Sequence, residues 1–360
     1  MDADFLIIGG GIAGVSAAAR LSHLGKVILL EAEQSVGWHA SGRSAALFEE
    51  TYGKNSTITL NRASRDYHMT ANGGVLSPRG LMLLGGQDAT TFEAERDGMQ
   101  MRELTLDEAL AHVPILDPAA FVRAGYRAEV WDIDTDLLMQ NFVRETRSNA
   151  GDIVTNAGAT SIAFQSGLWS VTTSLAQYTG RVLINAAGAW ADRIAEMAGV
   201  PPLGIQPYRR SMARIAAPGG HDTRSWPMMF GTGESWYAKP DAGALLVSPA
   251  DEDPMHPHDA WADDMVLAEG FARYEACMQI KVTRPIATWA GLRSFAPDRE
   301  LVIGFANDHS GFFWLAGQGG YGMQTSPAAS RLAADLIGGT TPEIDPASVT
   351  ALSPARFTSS

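Results

Sequence analysis

The sequence predicts a two-part fold. One part is an α/β domain with a Rossmann-like parallel sheet, and the other is an α+β domain built on an antiparallel sheet. Three observations carry this prediction. The first 33 residues run strand, glycine turn, helix, strand and acid without interruption. Two further apolar strands, leading into 185–190 and 317–322, also pass through glycine into helices. Between them, 47–133 and 201–295 lose that rhythm; the second shows the period-two pattern and turn signals of antiparallel pairs. The division that follows places 1–46, 134–200 and 296–345 in the first domain. It leaves 47–133 and 201–295 for the second and 346–360 as an irregular tail.

Residues 5–8 are apolar enough for a strand buried on both faces. Gly9, Gly11 and Gly14 give the G-x-G-x-x-G spacing. The first glycine makes the tight turn, the second admits a pyrophosphate, and the third lets helix approach strand. A helix over 13–24, with Gly25 as its C-cap, would hold phosphates on its N-terminal amides, with Ile12 and Ala13 among the candidate cofactor contacts. Residues 27–30 form the second strand, and Glu31 at its end can accept hydrogen bonds from an adenosine ribose. The motif implies a dinucleotide and does not separate FAD from NAD. Residues 34–46 form a small polar loop in which Ser41, Gly42, Arg43 and Ser44 offer donors to a cofactor or face solvent.

Further along, periodicity predicts helices over 55–69, 105–112, 134–150, 191–198, 271–279 and 323–337. A strand pair is expected over 75–84, a meander over 160–178, and a strand from 181 into the 185–190 turn. Strands follow over 205–215 and 284–295, with a hairpin joining 235–239 to 244–248. The last strands cover 301–304 and 312–315.

Composition narrows the class. The net charge of −13 argues against nucleic acid as a partner. A single cysteine, Cys277, excludes an internal disulfide and any cysteine-rich metal site. No apolar run reaches the ~18 residues of a membrane span, and no secretory signal precedes the fold. The expected location is cytoplasmic, with peripheral contact at the inner membrane left open.

A parallel sheet would gather the three glycine junctions at one edge, where ligands of such sheets bind. A cofactor touching all three must be long, which favours FAD. The helix after Gly317 would stabilise the negative charge of a reduced flavin. In the second domain Tyr52, Arg209, Arg210, Tyr237, Lys239 and Arg293 are the polar candidates. Arginine grips a carboxylate through two parallel bonds, although each residue alone also fits an ordinary ion pair. Arg209 and Arg210 face opposite ways along a strand, so at most one lines an inner face. His256 and His258 read as a solvated loop rather than a metal site, and no metal is expected. His39 is expected to pack beside the cofactor, and Cys277 in the core.

Taken together, 9–14, 42–46, 185–190, 289–295 and 317–325 resemble the D-amino acid oxidase-like flavoprotein family over nearly the whole chain. Within it the likeness is to the bacterial D-arginine dehydrogenases. The resemblance implies a glutathione-reductase-type FAD domain, non-covalent FAD, and oxidation of an amino acid to an imine. Water then releases the 2-oxo acid and ammonia, and electrons pass to oxygen, a quinone or another acceptor. It implies that Arg210, Tyr237 and Arg293 hold the substrate carboxylate. Tyr52 would lie over the substrate and the Gly320 backbone near its nitrogen. FAD contacts or their neighbours would be Gly9, Gly11, Ile12, Ala13, Gly14, Glu31, Ser41, Gly42, Arg43, Ser44 and Ala46. They continue at Ala187, Gly188, Trp190, Gln318, Gly319, Gly322, Met323, Gln324 and Thr325.

Two positions depart from the arginine-oxidising pattern: Leu81 replaces a glutamate that receives the guanidinium, and Leu47 replaces a histidine. A cationic side chain would lack its anion, so neutral, apolar D-amino acids are the expected substrates. Oxidation of secondary or cyclic amino acids, as with sarcosine, proline or pipecolate, is the near alternative. A flavin-binding protein without turnover and an NAD-dependent dehydrogenase are the distant ones.

Overall fold

The computed structural model describes residues 2–86 and 88–357. Strand Asp2–Ile8 pairs in parallel with Val27–Leu30 on one side and Gln177–Asn185 on the other. Gln177–Asn185 pairs in parallel with Phe312–Ala316, and Val27–Leu30 with Asp152–Val154. Ile8 lies opposite Asn185, and Asn185 opposite Trp314. The three glycine junctions therefore leave the sheet side by side, each at the C-terminal end of its strand. Helices Ile12–Leu21, Thr135–Ser148 and Gly322–Gly338 pack on one face, sealing a core with Ile7, Val15, Leu29, Ile184 and Phe313.

Several expectations are corrected here. The first helix ends at Leu21 with Ser22 as C-cap, where the Ser22 hydroxyl donates to the Ala19 carbonyl. Gly25 is therefore not the cap. The meander and the following strand share one element, because Gln177–Asn185 begins antiparallel to Leu168–Thr173 and ends parallel to Asp2–Ile8. Leu76–Pro78 and Leu81–Gly85 do not pair with each other. The first joins Trp131–Ile133 in a three-stranded sheet, and the second lies between Met228–Gly231 and Arg123–Arg127. Gly80 makes the corner between them at φ +73°. The tail is not irregular: Asp345 caps a helix, Pro346–Leu352, and Leu352 is fully buried. Residues 358–360 of that tail lie outside the described residues.

The second large sheet is centred on Gln206–Ala216, antiparallel to Pro285–Phe295 and to Ala244–Ser248. The hairpin strand Tyr237–Asp241 reverses through Ala242 and Gly243, both at positive φ as a tight two-residue turn requires. The helix expected over 271–279 is Asp264–Glu275 instead, because the Asp263 carboxylate accepts from Met265 and Val266 amides and starts it earlier. Helix Asn55–Thr70 packs against Gly322–Gly338, so part of 47–133 sits on the first sheet's layer. Among the described residues no helix is long and apolar enough to cross a membrane.

Candidate active site

The first glycine junction is built to bring backbones together. A Cβ at Gly9 would lie 2.4 Å from the Ala186 carbonyl oxygen, and one at Gly14 would lie 1.8 Å from that of Gly9. Only glycine permits this meeting of turn, helix and neighbouring strand. Helix Ile12–Leu21 has Gly11 at its N-cap, and helix Gly322–Gly338 has Tyr321. Neither N-cap makes a side-chain hydrogen bond, and neither first turn carries an acid. Both ends keep a positive dipole facing the cleft.

Three cavities join along this edge. The widest, about 360 Å³, runs from Glu31 and Ala157 past Gly9 and Ser41 to Gly188 and Trp190. The next, about 150 Å³, shares Gly11, Ser41, Arg43 and Gly188 with it and extends over Ile12, Ala13, Gln318, Gly319, Gly322 and Met323. The third, about 140 Å³, shares Ser44, Arg210, Tyr237, Arg293 and Gly320 with the second. A long ligand has a continuous path from the Glu31 end to the Gly320 end.

That path fits FAD. Glu31 closes the end of the path away from the chamber, its carboxylate accepting from the Gly10 amide at 2.6 Å and the Glu33 amide at 2.8 Å. The Gln318 side-chain nitrogen is buried beside the second cavity, without a hydrogen-bond partner among the described residues. Three expected contacts sit behind the wall rather than in it. Gly14 spaces helix from strand, and Gly42 closes the 37–42 turn by donating to the Gly37 carbonyl at 2.8 Å. The Thr325 hydroxyl is turned inward to the Tyr321 carbonyl at 2.9 Å. Arg43 lines the path, yet its guanidinium is occupied by the carbonyls of Ala260 and Ala290, both at 2.9 Å, and by Asp259. It ties a strap of the second sheet's connections to the cofactor loop. His39 shares in this, its ring packed on Trp190 and bonded to Glu33 at 3.0 Å.

The third cavity is a chamber between the two sheets. Arg210 and Arg293 come from adjacent antiparallel strands, where Arg210 lies opposite Gly291 and Arg293 opposite Tyr208. Tyr237 opens the neighbouring hairpin, and Tyr52 and Gly320 arrive from loops. Arg209 does face away, into Asp251 at 2.9 Å and Asp253 at 2.5 Å. Lys239 is likewise taken, by Asp132 at 2.9 Å and the Ala46 carbonyl at 3.2 Å. Among the described residues, Arg210 and Arg293 form no ion pair, and the Arg210 Nε has no partner. Burial and the Arg293 charge lower the Arg210 pKa. Burial also opposes the charge on Arg293, but Tyr237, Tyr52 and Glu234 hold its pKa up. Glu234 acts on both guanidiniums only through space, so neither charge is met by a direct ion pair.

Leu47 and Leu81 line the chamber with Met99, Met228, Phe230 and Trp236. Sequence reasoning missed these four apolar walls, which the fold of the second sheet brings in from distant segments. It also missed Glu49 and Glu234. Glu49 stands two residues past Leu47, a period-two signal that was available. Glu234 sits at the rim, 3.4 Å from the Tyr52 hydroxyl. Burial raises the Tyr52 pKa further above neutrality, with Glu234 adding to it.

A cleft of this length, opening on a chamber with two guanidiniums outside any ion pair, fits the class of flavin-dependent oxidoreductases. Residues 4–336 match the model of the FAD dependent oxidoreductase (DAO) family, and the chain belongs to that family. FAD is its cofactor. Glycine oxidase of Pseudomonas aeruginosa is 24% identical over 361 residues, covering 95% of this chain and 96% of the relative. L-2-hydroxyglutarate dehydrogenase of Escherichia coli is 26% identical over 235 residues, 59% of this chain and 54% of the relative. Among solved structures, glycine oxidase from Geobacillus kaustophilus superposes with TM-score 0.85 at 20% identity, covering 99% of each chain. L-proline dehydrogenase from P. horikoshii gives 0.84 at 21%, covering 99% of this chain and 98% of the other. The expected kinship with D-arginine dehydrogenases thus narrows to the family. These relatives do not single out that branch.

Proposed function

We propose that the protein oxidises neutral amino acids, D-amino acids first, to imines that water converts to 2-oxo acids and ammonia. One observation supports this above the rest: Arg210 and Arg293 meet in the chamber with no ion-pair partner among the described residues, beside Tyr237 and Gly320. In this reading the two guanidiniums and the Tyr237 hydroxyl hold the carboxylate, fixing Cα at the cofactor end of the chamber. FAD, bound non-covalently along the glycine-lined path, supplies the acceptor for the two electrons removed from substrate. Tyr52 stays protonated at neutral pH, so it donates a hydrogen bond over the substrate and is not the base. The ammonium proton leaves to water as substrate enters. Leu47 and Leu81 give the side chain an apolar wall at the two positions where arginine-oxidising relatives carry polar groups. The reduced enzyme then passes electrons to oxygen, a quinone or another acceptor.

The likeness to glycine oxidase and to L-proline dehydrogenase favours a second reading, oxidation of glycine or of secondary and cyclic amino acids. One experiment separates the two and also tests for turnover itself. Anaerobic flavin bleaching near 450 nm is followed with D-, L- and N-methyl amino acids. Bleaching by neutral D-amino acids and not by D-Arg is expected. Bleaching only by secondary amino acids, glycine or L-amino acids overturns the substrate reading, and none at all indicates a flavin-binding protein without this chemistry.

A further inference from the structure

Glu49 is buried at 5% exposure in the chamber wall, and its two oxygens are treated unequally. Oε1 accepts three bonds, from the Arg127 guanidinium at 2.6 Å, the Thr51 hydroxyl at 2.7 Å and the Thr51 amide at 3.1 Å. Oε2 is buried, with no donor among the described residues. A carboxylate oxygen withdrawn from water and left unpaired is costly, unless something that enters the adjoining space satisfies it. The neighbours are fixed. The Glu49 amide donates to the Gln324 side chain at 3.2 Å, and Arg127 is also bonded to the Met99 carbonyl at 3.2 Å. Arg127 lies opposite Leu81 in the strand pairing, so this polar pair adjoins a wall that is otherwise Leu47, Leu81 and Met99.

We infer that Glu49 forms a subsite for a substrate side chain ending in a neutral hydrogen-bond donor, a hydroxyl or a carboxamide. This rests on the amino acid reading above and sharpens it from neutral to neutral and polar. Charge selects the donor. The Glu49 charge is already balanced by Arg127, and Arg210 and Arg293 are balanced by the substrate carboxylate together with Glu234 at the rim. A cationic side chain would add a buried positive charge with no further anion to balance it. An anionic side chain would present like charge to Oε2. A hydroxyl or amide N–H satisfies Oε2 and changes no charge.

The test compares near-isosteric pairs on the FAD-loaded enzyme by anaerobic reduction: D-Thr against D-Val, D-Asn against D-Leu, and D-Gln against D-Met. The donor of each pair that fits is expected to show a ratio of limiting flavin-reduction rate to Kd at least about tenfold above its apolar partner. Glu49→Gln keeps a carbonyl for Arg127 and Thr51 but can place an amide N–H where Oε2 stands. In that variant the preference should fall to about one or invert, with flavin content and Tm confirming a folded holoenzyme. The wild-type ratios stand as a test even if the variant does not fold. Apolar partners that equal or exceed every donor, or a preference unchanged in folded Glu49→Gln, overturn the subsite alone. Failure of every amino acid to bleach the flavin overturns the amino acid reading, and the subsite with it.

Discussion

Arg210 and Arg293 differ from the other arginines of the second sheet in what they lack. Arg209 is closed off by two aspartates, whereas its neighbour in sequence faces the chamber with no ion-pair partner among the described residues. Lysine in place of Arg293 keeps the charge but loses the planar fork, so kcat/KM should fall about 100-fold, mostly through KM, in steady-state assays. An unchanged KM would show that this guanidinium does not grip the carboxylate. Gly320 is tied to the same group, since a Cβ there would lie 3.2 Å from the Arg293 Cζ. Gly320→Ala should displace the fork and raise KM roughly tenfold by the same assay, consistent with the sensitivity of positioned groups to small shifts. His68, fully buried behind Gln324, gives a pH effect. Burial lowers its pKa to about 4, against the opposing bond to the Gln324 carbonyl. The folded state then binds fewer protons than the unfolded one between about pH 6.5 and 4. The His68 contribution is complete above pH 6.5 and is lost as pH falls toward 4, at most ~3 kcal/mol. Denaturation at pH 7 and 4.5 should show a steeper loss in wild type than in His68→Gln; equal slopes would remove His68 as the cause.

At the scale of elements, the two helix N-termini at the cleft get no side-chain cap from their own N-cap residues, as is also true at Lys54 and Trp190, although the Ile12 amide donates to the Ser41 hydroxyl at 2.9 Å. Asp134 and Asp263 cap theirs with carboxylates, while Gly11 and Tyr321 offer no side chain to the helices that face the cleft. A missing cap costs a helix about 1 kcal/mol, a cost that a bound phosphate or flavin edge offsets. Gly14 is where helix and turn are closest. Gly14→Ala should drive the helix off its strand, lowering stability by at least ~2 kcal/mol and leaving the purified protein without flavin absorbance. A yellow Gly14→Ala protein of unchanged Tm would refute this account of the junction. These elements were legible in sequence because their spacing is local: G-x-G-x-x-G, a capping aspartate and an apolar period each act within a turn or two. The Asp264–Glu275 helix was expected to start seven residues late and end four late, because its cap at Asp263 lies in an acidic stretch that reads as loop.

For the molecule as a whole, the chamber belongs to neither sheet alone. Its arginines come from the second sheet, Gly320 and Gln324 from the end of the first, and Leu47 and Glu49 from the crossing between them. Arg43 fastens the two through Ala260 and Ala290. Arg43→Ala should weaken FAD affinity about tenfold in fluorescence titration while leaving the Tm of the FAD-free protein nearly unchanged. A fall in that Tm equal to the fall for the holoenzyme would instead make Arg43 a purely structural residue. Removing FAD should itself lower Tm, because a ligand present at 100 times its Kd adds about 2.7 kcal/mol to the folded state.

The sequence by itself determined the parts whose chemistry is written in short range. These include the dinucleotide turn, the Glu31 end, the opposite facing of Arg209 and Arg210, and the glycine loop before the last long helix. Tertiary structure decided what meets across the chamber. It alone placed Met99, Met228, Phe230 and Trp236 around Leu47 and Leu81, occupied Lys239 with Asp132, and left one oxygen of Glu49 unpaired. The physical reason is range. Turn and helix geometry act over a few residues, whereas pairing and burial join segments that no spacing rule connects, and whether a charge is satisfied depends on all of them at once.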